Sequence, residues 1–123
     1  MCLFTKQQEA KIANKNIIVY KLLYCNNGVL RPPIFSDYVY ELKKLNSTDI
    51  EVSFLLDLGC NIYRAFHAFT TIRNALTSNI IMNDMLLYKC IIPKGSKYYT
   101  SEDGREIASD KIIIKRKLWF NLI

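Results

Sequence analysis

Ile50, Val52, Phe54 and Leu56 fall on one side of an extended segment, while Glu51, Ser53 and Asp57 fall mostly on the other. Period-two alternation sends successive side chains to opposite faces and predicts a half-buried strand, which Gly59 ends. Residues 16–25 are rich in β-branched and aromatic residues, keep both alternating faces largely apolar and stop at Asn26-Asn27-Gly28, so they predict a buried strand running into a tight turn. Arg31-Pro32-Pro33 then interrupts pairing, because proline has no N–H to give a ladder. Tyr38 to Leu42 reads as a short extended piece. Ile62 to Phe69 alternates Ile62, Arg64, Phe66 and Ala68 against Tyr63, Ala65, His67 and Phe69, as a strand leading into a turn.

The spacing changes after Thr70-Thr71, either of which can cap a helix by accepting a bond from a first-turn N–H. Ile72, Ala75, Leu76 and Ile80 share one helical face, and Arg73, Asn74, Thr77 and Ser78 another, predicting an amphipathic helix near 71–80. Met85 to Ile92 is the next strand, Pro93-Lys94-Gly95 a turn, Tyr98-Tyr99 a brief extension, Glu102-Asp103-Gly104 a hairpin turn, and Ile107 to Lys117 a final strand. Residues 5–14 form a short helix or an arm. Many strands around one helix define an α+β fold: a small, curved, mostly antiparallel sheet with one main amphipathic helix. At 123 residues, the chain 1–123 reads as a single domain.

Charge adds a direction to this picture. The formal net charge is +6, and the segment from Lys89 onward carries 8 basic and 4 acidic residues, against 7 and 6 from Met1 to Cys60. A basic C-terminal third attracts phosphate, nucleotide, nucleic acid or an acidic protein, or is simply a solvated face. No recognised nucleic-acid motif accompanies it. The cysteines Cys2, Cys25, Cys60 and Cys90 form no C-x-x-C pair and His67 is the only histidine, so no metal site and no cofactor is expected. Neither a secretory start nor a membrane-length apolar run is evident, which places the expected protein in the cytoplasm, away from membranes. In that setting the acceptor pattern Asn46-Ser47-Thr48 carries no meaning.

Three groups of residues can carry chemistry. His67, between Phe66 and Phe69 and just before a helix start, suits a ligand oxygen or a local packing bond. The Pro93-Lys94-Gly95 turn can expose N–H groups beside Lys94, with Tyr98 and Tyr99 offering a flat face to a base or ribose, or it can be an ordinary strand-end turn. Cys2 becomes an N-terminal nucleophile if Met1 is removed and a base such as His67 lies near. A Ser109, His67, Asp110 triad is disfavoured, since adjacent side chains on a strand point apart.

Taken together, the MCLFT, KIANKNIIVYKLL, FHAFTTIRNA, KCIIPKGSKYY and IASDKIII strings resemble short, functionally uncharacterised bacterial and bacteriophage proteins over almost the whole chain. A more distant likeness is to ADP-ribosyltransferase folds. Val19-Tyr20-Lys21 is similar to the early strand that carries a basic residue there, FHAFTT to the middle strand, and Ile92-Pro93-Lys94-Gly95 to the later turn. Ser109-Asp110-Lys111 stands where such enzymes keep a catalytic glutamate, and Asp110 is shorter by one methylene. The resemblance therefore implies a nucleotide pocket without turnover: a protein binding a nucleotide or other phosphorylated molecule through Lys21, His67, Thr70, Lys94 and Tyr99, in a phage setting sequestering a host nucleotide signal. Two other classes stand beside it. One is a divergent ADP-ribosyltransferase-like or N-terminal cysteine enzyme using Asp110 or Cys2, and the other an inhibitor docking an acidic host protein on its basic C-terminal strand.

Overall fold

The structure, a computed structural model, describes residues 3–7, 9–26, 29–31, 39–55, 58–77 and 85–118. Two antiparallel sheets contain the strands. The small one has the order β1-β7-β6, from β1 (Leu3–Thr5), β7 (Cys60–Arg64) and β6 (Glu51–Phe54). The large one has the order β2-β10-β11-β8-β3-β9-β12-β5, with β4 also pairing β3. Its strands are β2 (Lys11–Ile12), β3 (Ile17–Asn26), β4 (Val29–Arg31), β5 (Leu45–Ser47), β8 (Phe66–Phe69), β9 (Met85–Ile92), β10 (Lys97–Thr100), β11 (Glu106–Ser109) and β12 (Lys111–Lys117). The α+β expectation therefore holds in a β-dominated form, and the helix is minor: α1 spans Ile72–Leu76, capped by Thr71, whose hydroxyl accepts from the Asn74 N–H. Residues 78–80 of the expected helix lie outside the described residues.

The large sheet must curl. In a flat sheet, β11 and β12, four pairings apart, would stand about 19 Å from each other at a strand spacing of about 4.8 Å. Asp110 alone joins them, and one residue spans far less than that. A second corner bends the ribbon made by β2–β3 and β9–β10. Ile12 faces Lys97 on one side of it and Ile17 faces Ile92 on the other. Between them Ala13 N–H donates to Ser96 O (2.9 Å), Gly95 N–H to Ala13 O (2.8 Å) and Lys94 N–H to Asn16 Oδ1 (2.9 Å). Gly95 takes φ +91 there, a conformation that favours glycine.

Curling gives the sheet an inner face, packed with Val19, Leu23, Phe66, Ala68, Cys90, Ile92, Ile107, Ile112 and Ile114. The outer face is covered in two places. Leu3, Cys60 and Ile62 of the small sheet pack on Tyr99 and Ala108, while Ala75 of α1 packs with Leu22, Phe69 and Leu87.

Several expectations change. The 62–69 strand breaks at Ala65, and its halves join different sheets. The 107–117 strand breaks at the Asp110 corner. Residues 5–14 hold no helix where described, and β2 sits among them. Tyr40 and Leu42 make only isolated bridges, to Leu30 and Ile114. Asn46 is buried: its Oδ1 accepts from Glu41 N–H and its Nδ2 faces the carbonyls of Glu41, Lys44 and Ile112. A side chain so committed accounts for the acceptor pattern as structure.

Candidate functional site

His67 sits on the outer face of β8, directly opposite Ala108 of β11, which in turn faces Tyr99 of β10. Residues opposite one another across antiparallel strands share a face. His67 and Tyr99 therefore lie in one row, roughly 10 Å apart across two strand spacings. The small sheet roofs the Ala108 and Tyr99 end of that row, and α1 covers Phe69, two residues along β8. His67 stands at the floor between roof and helix. The residue is half-buried, and both ring nitrogens are buried and find no hydrogen-bond partner of ordinary geometry among the described residues. Burial, and then the positive charge of Lys21, push the imidazole down to about 3. The Tyr63 carbonyl lies close enough to oppose this weakly, without forming a bond of ordinary geometry. At neutral pH the ring is thus an uncharged donor and acceptor pair without a hydrogen bond of ordinary geometry among the described residues. Such a group is costly to bury unsatisfied, by about 1–3 kcal/mol.

Lys21 belongs to the opposite face. It stands across from Tyr88 on the inner side of β3, and its ammonium donates to the backbone carbonyl of His67 while lying 5.2 Å from the Tyr40 ring centroid. Burial lowers it to about 8, with Cys90 partly offsetting the shift. Burial also pushes the Cys90 thiol up to about 12, which keeps it a protonated, unreactive thiol beside the ammonium. Lys21 therefore braces the strand that carries His67 from behind; it does not line His67's face.

The other three candidate ligand residues separate as well. Thr70 donates through its hydroxyl to Gly104 O (2.8 Å) and accepts from Asn74 Nδ2 (3.0 Å), tying the β10–β11 hairpin to α1. Arg105 completes that clasp by donating to Asn74 Oδ1 and Thr77 Oγ1. Lys94 is exposed at the ribbon corner, where the N–H groups of Lys94, Gly95 and Ser96 are all taken by protein oxygens, so the turn presents no cradle of free donors. Tyr99 is almost buried, and its phenol is shifted upward by burial, then by Cys60 and Glu9.

Asp110 is a corner staple. Its Oδ1 accepts from Lys97 N–H (2.9 Å), its Oδ2 lies 3.3 Å from Lys111 Nζ, and its backbone carbonyl accepts from Thr48 N–H. It also borders an open polar cleft of about 460 Å³ lined by Ser47, Thr48, Asp49, Arg64, Asp110 and Lys111. That cleft mixes two carboxylates with two cations, and Arg64 is also paired to Glu51 at 3.4 Å. Cys2 lies outside the described residues. Among the described residues no group of three His, Cys, Asp or Glu side chains is placed to hold a metal ion, and no helix is long and apolar enough to cross a membrane.

Sequence reasoning singles out His67 through its flanking phenylalanines. It missed Arg105 and Asn74, whose clasp pairs residues 31 apart and leaves no local signal. Compared with family models, curated proteins and solved structures, the chain matches none of them.

Proposed function

We propose that this chain binds a nucleotide-like small molecule over His67, between the small sheet and α1. The observation that carries it is the pair of buried, partnerless nitrogens on His67. A neutral imidazole presents one donor and one acceptor, which matches the edge of a heterocyclic base or a ribose hydroxyl better than a phosphate. Phosphates would point outward, where the net charge of +6 favours them. A nucleotide is also the ligand that the sequence resemblance to ADP-ribosyltransferase folds implies, and sequestering a host nucleotide the role that the resemblance to bacteriophage proteins implies.

Binding is favoured over turnover because Asp110, which the resemblance sets where a transferase keeps its glutamate, has both carboxylate oxygens engaged at the corner. Carboxylate placement for catalysis tolerates little displacement. Calorimetric titration with NAD, ADP-ribose and cyclic nucleotides tests the proposal. Saturable binding of one of them, weakened about tenfold or more by His67→Ala, is expected from the loss of a buried bond. Absence of heat with all three classes rejects it.

A further inference from the structure

Four aliphatic side chains form an uncovered row on the outer face of the large sheet, away from His67. Ile18 faces Ile91, Ile91 faces Ile113, and Ile113 faces Leu45, so the row crosses β3, β9, β12 and β5. Ile18 is 50% exposed and Leu45 54%, with Ile91 and Ile113 half-buried between them. The next row toward α1 sets Arg116 directly opposite Lys89, with Lys115 in the bulge beside them. Like charges facing each other across a ladder are unfavourable. Among the described residues the ion pairs are Arg64–Glu51 and Lys111–Asp110, so none of these three cations has a carboxylate partner.

We infer that this face docks an acidic amphipathic helix of a partner protein. Four strands span about 14 Å, which a helix of about ten residues covers when laid across them. Its apolar stripe would cover the Ile18–Leu45 row, and acidic side chains on one flank would meet Lys89 and Arg116. A second copy of this chain is the wrong occupant, because a symmetric contact would bring the same cations together. The row is purely aliphatic and offers no stacking platform to single-stranded nucleic acid.

Titration of the full chain with a designed helical peptide of about 12 residues, with leucines at i, i+4 and i+7 and glutamates on one flank, tests this by amide chemical shifts and calorimetry. The expected result is a salt-sensitive complex that shifts the amides of residues 18, 45, 91 and 113. Ile113→Ser and Lys89→Glu/Arg116→Glu should each weaken it about tenfold, and the charge-swapped chain should instead take the lysine version of the peptide. Thermal melts establish that the variants are folded, and Leu45→Ser at the exposed sheet edge replaces Ile113→Ser if that one is not. His67→Ala should leave this complex unchanged, which separates it from the nucleotide site. The inference is overturned by no binding, by equal binding of a sequence-scrambled acidic peptide, or by oligothymidylate or phosphatidylglycerol vesicles taking the face in the peptide's place. Self-association through the same residues, or binding gained only on truncation after Leu118, overturns it as well.

Discussion

At the scale of single residues, His67 and Lys21 are both buried against the preference of their charged forms, and the consequences differ in sign window. The imidazole titrates near 3 in the native chain against 6.5 in the unfolded one. Between those values the unfolded state binds the extra proton, so stability rises with pH from about 3 to 6.5 and is constant above. The gain is up to about 4 kcal/mol across that window, from about 1.4 kcal/mol per pK unit, reduced for the half-buried residue. Thermal melts at pH 3 to 8 should show it, and His67→Phe should flatten that part of the profile. Lys21, near 8 against 10.5, carries a penalty that is fully present below pH 8 and relieved as pH rises toward 10.5. Cys90 acts oppositely from pH 9 upward, because its native thiol holds a proton that the unfolded thiol loses. The net rise is therefore confined to about pH 8–9. Lys21→Met should stabilise the protein at pH 7 by about 1–3 kcal/mol, measured by urea denaturation, because an apolar isostere removes a buried charge with no carboxylate beside it. A gain there would mean that Lys21 is kept for the carbonyl of His67, and hence for the site, at the expense of stability.

At the scale of elements, polar residues that look like surface positions hold the corners. Asn46 fixes the approach to β5 through both ends of its amide, so Asn46→Ala should lower stability by about 2–4 kcal/mol in the same denaturation assay. Asn46→Asp should fail similarly, since a carboxylate cannot donate to the Glu41 carbonyl. Thr71→Ala, removing only the cap of a five-residue helix, should cost about 1 kcal/mol. These contrasts show what was legible beforehand. Met85–Ile92 and the strand ending near Asn26 are legible almost to the residue, because a near-continuous run of β-branched, aromatic and aliphatic residues marks a strand whatever it pairs with. The breaks at Ala65 and Asp110 are not legible, because neither carries Gly or Pro; at Asp110 the inner face passes from Ile107 to Ile112, a change of phase that the all-apolar Ile112-Ile113-Ile114 run hides. Burial in a curled sheet depends on which strands meet, and strand order is a property of distant pairs. The outer row escaped notice for the same reason: Ile18 and Ile91 look like core in any single strand, and only the pairing shows that their face is bare. His67 stands out in the sequence as a candidate, whereas the separation of Lys21 from its face rests on register.

At the scale of the whole molecule, the candidate site beside His67 is bordered by the small sheet, which docks over Tyr99 and Ala108. Gly59 controls that docking. It has φ +133, and a side chain there would run into the carbonyl oxygen of Thr5, which sits in the strand paired with β7. Gly59→Ala must therefore shift the backbone where β1 meets β7, adding a strain on the order of a few kcal/mol. The core between β3, β9 and β12 lies on the other face and shares no buried residue with the roof. Hydrogen exchange should consequently separate the two: amides of β1, β6 and β7 in Gly59→Ala should exchange much faster, while those of β3 and β9 stay protected. Because the roof borders His67, the same substitution should weaken nucleotide binding without touching the docking of an acidic helix on the Ile18–Leu45 row. Loss of protection throughout the chain would instead show that roof and curled sheet fold as one cooperative unit, and the space over His67 would then have no freedom to open for a ligand.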